Sequence, residues 1–173
     1  MKNIMDAFLF GHISFFAYLC NMKRILFVCH GNICRSPMAE FMFKRMVRMA
    51  GQEDEFEIAS AATHDDELGN PVYPMARQEL AKHGIGCPGH VARLIAKDDY
   101  SHYDLIIGMD EANMNDMQLL FGADPEGKLY LMMDFVGKHR DVADPWYTRN
   151  FTATWNDLNV ACTALFNQLR DNG

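Results

Sequence analysis

The chain lacks several features by which whole classes of protein are recognised. Its 173 residues contain five cysteines, an odd number at irregular spacings, which argues against a framework of paired disulfides and favours a reducing compartment such as the cytoplasm. Positive charge is scarce: 16 Lys and Arg stand against 23 Asp and Glu, a formal net charge of -7. Because no basic stripe compensates, a nucleic-acid surface is not expected.

Long apolar runs are missing as well. Residues 1–21 are rich in Phe, Leu and Ile, but Asp6 and His12 interrupt them well short of the roughly 20 apolar residues that a membrane span requires. No small-residue cleavage site follows, so neither a membrane anchor nor a secretory signal is expected. Since Met22 begins a segment with the form of a natural start, we treat residues 1–21 as an N-terminal extension, either a mis-assigned start or a flexible or helical surface segment. Residues 22–173 then form the domain.

About half of the residues are apolar, which is enough for one domain with a sizeable core. Strands are predicted at residues 25–28, 56–59, 105–107 and 129–133, and helices at 39–50, 72–83, 112–121 and 155–169. Strands that alternate with helices pair in parallel, because the helix returns the chain to the same end of the sheet. The sequence therefore predicts a single three-layer α/β domain with a central four-stranded parallel sheet flanked by helices.

The most informative segment follows the first predicted strand and reads Cys29-His30-Gly31-Asn32-Ile33-Cys34-Arg35-Ser36-Pro37. Ser36-Pro37 predicts a helix start, with Ser36 as the N-cap and the proline in the first helical position. Backbone N–H groups of such a loop and of the helix start bind a phosphate dianion, and the planar fork of Arg35 can hold two of its oxygens. The same positive field favours ionisation of the Cys29 thiol, which makes it a nucleophile. Asn32 stands where the loop reverses, and it tolerates left-handed backbone geometry.

Transfer of a phosphoryl group to Cys29 leaves an oxyanion, which departs more easily if a positioned acid protonates it. The best candidate is Asp144 of Asp144-Pro145-Trp146-Tyr147, since Trp146 and Tyr147 can form the walls of a cleft for an aromatic ring. Asp124-Pro125 competes with it, but the Glu-Gly that follows indicates an ordinary turn.

The run from Val28 to Glu40 resembles the signature of the low-molecular-weight protein tyrosine phosphatases, and the resemblance extends from about Met22 to the C-terminus. It implies a phosphotyrosine-containing protein as substrate and inorganic phosphate as product, with no cofactor and no metal. It also implies that Asp144 is the general acid, because the Asp-Pro-aromatic-aromatic segment is similar to the family's acid loop.

The resemblance assigns further roles. It implies that Ser36, Ser60 and His90 hydrogen-bond to support the phosphate-binding loop. Asp66 stands where many members carry a Trp or Tyr wall, and an acidic wall would disfavour acidic peptides. Cys34 has two open interpretations: a thiol that pairs reversibly with Cys29, as the resemblance implies, or a small residue packed under the loop.

Three other functions compete. Protein-arginine phosphatases have a related loop, but they resemble a pattern with threonine before the second cysteine, where this chain has Ile33. A thiol-linked arsenate reductase needs relay cysteines on a mobile segment, whereas Cys87 and Cys162 are poorly placed and expected to be structural. A binding module without catalysis would lack the nucleophile or the acid, and both are present.

Overall fold

The computed structural model describes residues 22–122 and 124–171, and the predictions made for residues 1–21 lie outside that range. The elements follow in the order β1 (Lys23–Cys29), α1 (Arg35–Met49), β2 (Phe56–Ala62), α2 (Pro74–Lys82), α3 (Asp99–His102), β3 (Leu105–Gly108), α4 (Glu111–Phe121), β4 (Leu129–Leu131), α5 (Pro145–Thr148) and α6 (Phe151–Asp171). Two short 3₁₀ turns lie at Glu53–Glu55 and Met132–Val136. Within these residues no helix has the length and apolar character needed to cross a membrane.

The four strands form one sheet in the order β2-β1-β3-β4, and every neighbouring pair is parallel. Helices cover both faces, because successive side chains of a strand point to opposite sides. Phe27 of β1 packs on one side in a cluster with Phe43 of α1 and Leu158 of α6. The next residue, Val28, faces the other side in a cluster that includes Met117 of α4. The predicted single α/β domain with a four-stranded parallel sheet is confirmed.

Most elements differ from their predicted ranges by a few residues at one or both ends, and the differences at the ends of β2 and β4 have a clear physical reason. Strand β2 continues to Ala62, three residues further than predicted, because it pairs with β1 along its whole length up to Cys29. Strand β4 ends at Leu131, and Met132 and Met133 enter a 3₁₀ turn in which both are fully buried. In the sequence, two consecutive apolar residues look like the continuation of a buried strand. The 3₁₀ turn buries the same two side chains, so the strand is not needed for their burial.

The carboxyl edge of the sheet collects the residues that matter for chemistry. Strand β1 ends at Cys29 and β3 ends at Gly108, so the segments that follow them meet at one edge, where open α/β sheets bind ligands. The segment after β2 is tied to the same place, since the Thr63 amide donates to the Cys29 carbonyl at 2.9 Å and the His64 amide donates to the His30 carbonyl at 3.0 Å.

Candidate active site

Residues 30–34 form the loop that joins β1 to α1, with Cys29 buried at its start. Helix α1 begins at Arg35 with Cys34 in the N-cap position, so the prediction that Ser36 caps the helix was wrong by two residues. The Ser36 hydroxyl instead contacts Asn32 and Cys29 of the loop. Pro37 is tolerated in the first helical turn because N–H groups there have no partner within the helix.

Asn32 holds the loop in its turned form. Its backbone is left-handed, with φ of 56°, as the sequence predicts, and its side chain is fully buried. The side-chain amide donates to Ser36 Oγ at 2.9 Å and to Ser60 Oγ at 2.8 Å. The backbone carbonyl oxygen of Asn32 lies 2.8 Å from His90 Nε2. The structure thus brings Ser36, Ser60 and His90 together around one asparagine.

Ser36 links this network to the thiol, because its Oγ lies 3.0 Å from Cys29 Sγ. Since the Ser36 oxygen already accepts a hydrogen bond from Asn32, its own hydrogen is available for donation. The other acceptor within reach, the Ala61 carbonyl, is further away at 3.5 Å. The Ser36 hydroxyl is therefore placed to donate its hydrogen to the Cys29 sulfur.

Glu40 completes the network, and sequence reasoning missed it. Its carboxylate is buried on α1, where Ser60 Oγ donates to Oε2 at 2.5 Å and Lys44 Nζ bonds to Oε1 at 2.5 Å. Accepting the Ser60 hydrogen leaves the Ser60 oxygen free to receive Asn32. The signal available in the sequence was an acidic residue on the apolar face of a helix, since a buried carboxylate is rare unless it is paired.

Arg35 lies between two carboxylates at the bottom of the cleft. Its Nη1 is 2.5 Å from Asp110 Oδ2 and its Nη2 is 2.9 Å from Asp144 Oδ2, and the guanidinium is buried. Burial by itself would lower the pKa of Arg35, but the surrounding negative charges, that of Cys29 first and then the two carboxylates, outweigh it and raise that pKa above its ordinary value. Arg35 is therefore a permanent cation beside the thiol.

Asp110 was not predicted from the sequence. It lies two residues after the end of β3, and its second oxygen accepts from the Asn113 amide at 2.7 Å, so it caps α4 while it holds Arg35. An acidic residue just after a buried parallel strand and before a helix was the signal, because such residues meet the other loops at the carboxyl edge.

Asp144 reaches the cleft from the loop before α5. Its Oδ1 accepts from the Trp146 amide at 2.9 Å and caps this one-turn helix, while Oδ2 faces Arg35. The competing Asp124 accepts from the Lys128 and Leu129 amides at 2.9 and 3.1 Å and holds the turn before β4. The structure therefore places Asp144, and not Asp124, beside Arg35.

The cleft above Cys29 has a volume of about 300 Å³ and two unlike walls. One is aromatic, made of Trp146 and Tyr147, both solvent-exposed. The other is charged: His30 Nε2 lies 3.2 Å from Asp66 Oδ1, and the His30 ring stacks on that of His64 with centroids 4.0 Å apart. Sequence reasoning placed His30 in the loop but did not foresee its side chain as a wall.

Gly31 lies where the charged wall meets the loop, and a larger residue would be crowded there. A Cβ on Gly31 would lie 3.0 Å from Glu67 Cγ, a contact too short for a side chain to occupy without displacement. Glu67 also lines the cleft and was not predicted to do so. The lack of a side chain at residue 31 therefore lets the segment after β2 lie directly on the loop without displacing the Glu67 side chain.

Comparison with known proteins decides the family. A family model described as low molecular weight phosphotyrosine protein phosphatase matches residues 24–173. The chain belongs to this family. It is 36% identical over 152 residues to low molecular weight phosphotyrosine protein phosphatase 1 of Drosophila melanogaster, covering 85% of this chain and 97% of the relative. The family makes the chain a protein tyrosine phosphatase, a phosphoric monoester hydrolase.

Solved structures of similar proteins share the fold. The crystal structure of YfkJ from Bacillus subtilis superposes with a TM-score of 0.84 at 32% identity, covering 87% of this chain and 96% of that one. The structure described as a Drosophila arginine phosphatase superposes with a TM-score of 0.76 at 27% identity, covering 85% and 97%. Since both chains fit closely, the fold alone does not separate their substrate classes.

In this phosphatase the second cysteine of the loop is a packed, protonated side chain. Cys34 is buried, in contact with the core cluster that covers one face of the sheet. Burial raises the pKa of the Cys34 thiol to about 12, and the charges of Cys29 and Asp144 act in the same direction. Cys34 is therefore a poor nucleophile at neutral pH.

A redox role for Cys34 would accordingly depend on pH. Peroxide would convert the Cys29 thiolate to a sulfenic acid, and attack by the Cys34 thiolate on its sulfur would form a disulfide and expel hydroxide, which takes up a proton to become water. Below a pKa of about 12, the thiolate fraction of Cys34 rises about 100-fold over two pH units. After matched peroxide exposure, the phosphatase should recover with a dithiol better than Cys34→Ser at about pH 8.5, and the difference should shrink at about pH 6.5. Equal recovery of the two proteins at both pH values would leave only the packing role.

The remaining cysteines of the described part lie outside the cleft. Cys29, Cys34, Cys87 and Cys162 are all free thiols. Cys162 is fully buried on α6, where burial raises the pKa of its thiol, and Cys87 is half-buried. Across residues 22–122 and 124–171, no three His, Cys, Asp or Glu side chains are grouped to hold a metal ion.

Proposed function

We propose that this phosphatase hydrolyses phosphotyrosine in proteins through a phosphocysteine formed on Cys29. The observation that carries the proposal is one cleft in which the Cys29 thiol, the Arg35 guanidinium and the Asp144 carboxyl group meet, with Arg35 Nη2 2.9 Å from Asp144 Oδ2. These groups supply the three functions that the chemistry needs: a nucleophile, a cation for the phosphoryl oxygens and a proton donor.

In the first step, Cys29 Sγ attacks phosphorus in line as the bond from phosphorus to the tyrosine oxygen breaks. Arg35 gives up its contact with one of its two carboxylate partners and binds the equatorial phosphoryl oxygens instead. The backbone amides of the loop from His30 to Arg35 bind the same oxygens. Asp144, protonated in this complex, donates its proton to the leaving phenolate. The products are neutral tyrosine and a phosphorylated Cys29.

In the second step, Asp144 is a carboxylate and takes a proton from water as the water oxygen attacks phosphorus. The bond from phosphorus to sulfur breaks, inorganic phosphate leaves, and the Cys29 thiolate returns. Ser36 supports both steps, because its hydrogen bond stabilises sulfur as nucleophile and as leaving group. The loop keeps its shape through the hydrogen bonds of Asn32 with Ser60 and His90, which do not contact the substrate themselves.

The cleft walls support phosphotyrosine as the substrate. Trp146 and Tyr147 offer flat apolar faces to a phenyl ring, and Ile33 fills the place where a threonine would be smaller and polar. A guanidinium gains less from an aliphatic neighbour than a phenyl ring does. Phosphoserine is disfavoured for another reason, since its short side chain cannot carry phosphorus down to the buried Cys29.

Matched peptides test the substrate proposal. We expect kcat/KM to be highest for a phosphotyrosine peptide, lower for phosphoarginine and lowest for phosphoserine in the same sequence, and Ile33→Thr to raise the rate on phosphoarginine relative to phosphotyrosine. A threonine-to-isoleucine difference in one pocket is worth about 1–3 kcal/mol, or roughly 10- to 200-fold in relative rate. Faster turnover of phosphoarginine by the unaltered protein would move the assignment to an arginine phosphatase. Tight phosphate binding without any turnover would favour a binding module.

We also propose the setting in which the reaction takes place. A reactive thiol at Cys29 suits a reducing compartment, which favours the cytoplasm. The catalytic domain is assigned to residues 22–173, since β1 begins at Lys23. Its partners are a phosphotyrosine-containing protein and inorganic phosphate, and neither a nucleic acid nor a membrane is required.

A further inference from the structure

Tyr73 connects the two loops on which the chemistry depends. It stands immediately before α2, and its backbone N–H donates to the Ile33 carbonyl of the phosphate-binding loop at 2.8 Å. Its ring lies edge-on to that of Trp146 in the acid loop, with centroids 5.8 Å apart and planes at 68°. Tyr73 also contacts Phe151, the first residue of α6. The two rings are nearly parallel, with centroids 5.9 Å apart.

Arg149 closes the arrangement from the far side of α5. Its backbone is left-handed, with φ of 56°, and ends the helix. Its guanidinium lies over the Trp146 ring, 5.7 Å from the centroid, and Nη1 donates to the Tyr73 hydroxyl at 3.4 Å. The Trp146 ring is thus in contact with both an aromatic edge and a cation.

The acid loop needs such external contacts. Helix α5 is four residues long, one turn, and a single turn is not stable by itself because its nucleation fixes several dihedral angles for one hydrogen bond. The Trp146 amide donates to Asp144 Oδ1 at 2.9 Å while Oδ2 faces Arg35, so the position of Trp146 contributes to where the carboxyl group lies. The contact of Tyr73 with the Trp146 ring therefore affects Asp144, because Trp146 is hydrogen-bonded to the Asp144 carboxyl group.

We infer that Tyr73 is a positioning residue for the general acid: it anchors Trp146, and through Trp146 it holds Asp144 at the phosphate-binding loop. The inference rests on the proposed role of Asp144. It differs from a structural role in what it predicts, because loss of the anchor should weaken only the step in which a proton reaches the leaving group. Phosphate binding, which depends on Arg35 and the loop amides, should be preserved.

Tyr73→Leu tests this, with Tyr73→Phe and Tyr100→Leu as controls. Tyr73→Leu should lower kcat about 10- to 100-fold on phenyl phosphate, the scale of a small misplacement of a catalytic group, but less than about threefold on p-nitrophenyl phosphate, whose leaving group needs little protonation. Tyr73→Phe keeps the ring and should retain most of the activity. Tyr100→Leu removes a half-buried tyrosine that packs on Phe121, outside the cleft lining. It should leave kcat unchanged on both phenyl phosphate and p-nitrophenyl phosphate. Inhibition by inorganic phosphate should be the same in all four proteins.

A double variant decides whether Tyr73 acts through the acid. In the Asp144→Asn background, Tyr73→Leu should cause little further loss on phenyl phosphate, because the step that it supports is already lost. Equal losses on both substrates, or fully additive losses in the double variant, would overturn the inference. If Asp144→Asn itself shows no dependence on the leaving group, the proposed acid fails instead, so the two failures are distinguishable.

Discussion

Cys29→Ser is expected to abolish turnover while leaving phosphate binding intact. A serine hydroxyl is far less acidic than a thiol, and nothing in the cleft replaces the lost thiolate, so the loss should be on the order of 10⁴-fold or more, the scale seen when a covalent nucleophile is removed. Arg35, held by Asp110 and Asp144, remains as the main cation for the dianion. Initial rates on phenyl phosphate and calorimetric titration with inorganic phosphate measure the two properties separately.

The matched control is Cys87→Ser. Cys87 is half-buried and outside the cleft lining, so its replacement should leave both the rate and the phosphate affinity unchanged. Appreciable turnover by Cys29→Ser would mean that another group attacks phosphorus. Loss of phosphate binding together with activity, in a protein that is still folded, would mean that the thiol is needed for the shape of the loop.

Asp144→Asn is expected to slow hydrolysis of phenyl phosphate by about 10²- to 10⁴-fold, the usual contribution of a general acid. Asparagine keeps an oxygen that can accept from the Trp146 amide, so the cap of α5 survives while the transferable proton is lost. The loss should shrink sharply on p-nitrophenyl phosphate. Rates over a series of substituted phenyl phosphates measure this dependence on the leaving group.

Asp124→Asn is the control for this prediction, because it alters the other Asp-Pro pair. Asp124 orders a turn through backbone amides, and its replacement should lower stability without changing the dependence on the leaving group. If Asp144→Asn lost rate equally on good and poor leaving groups, Asp144 would not be the proton donor.

Much of the fold was predictable because its signals are local. The apolar run of β1 and the alternation of strands with helices determine a parallel sheet, and the structure confirms it. Boundaries were less predictable where two structures satisfy the same burial, as at Met132 and Met133, which a 3₁₀ turn buries as fully as a strand would. The start of α1 was misplaced because Ser36 has a stronger partner in the loop than the helix terminus offers.

The site was predictable to the extent that its residues adjoin one another in the chain. The loop from Cys29 to Ser36 is one segment, and its internal chemistry can be read directly. Asp144 could be preferred over Asp124 from its neighbours, since an aromatic pair follows the first Asp-Pro and the Glu-Gly of an ordinary turn follows the second. Its role as general acid came from the resemblance. Asp110 and Glu40 were missed because their importance arises from tertiary contacts, with Arg35 in one case and Ser60 in the other.

The charged wall shows the same limit. His30 and His64 are 34 residues apart, and only the pairing of β1 with β2 brings their rings into contact. Such a stack cannot be predicted from a sequence pattern. The contact between the Tyr73 and Trp146 rings likewise joins segments that are distant in the chain.

Hydrolysis is proposed to pass through a phosphoryl group on sulfur, and trapping of this intermediate is the decisive experiment. Asp144→Asn can be mixed with p-nitrophenyl phosphate, whose phenolate leaves without an acid, so that phosphorylation proceeds while the water step, which needs the base, is slowed. Acid quenching followed by digestion and mass spectrometry under conditions that preserve thiophosphates locates the phosphoryl group. We expect it on Cys29, with a burst of nitrophenolate equal to the enzyme concentration and no such peptide from Cys29→Ser. A phosphoryl group on another residue, or phosphate released without any burst or labelled peptide, would mean that Cys29 is not the nucleophile.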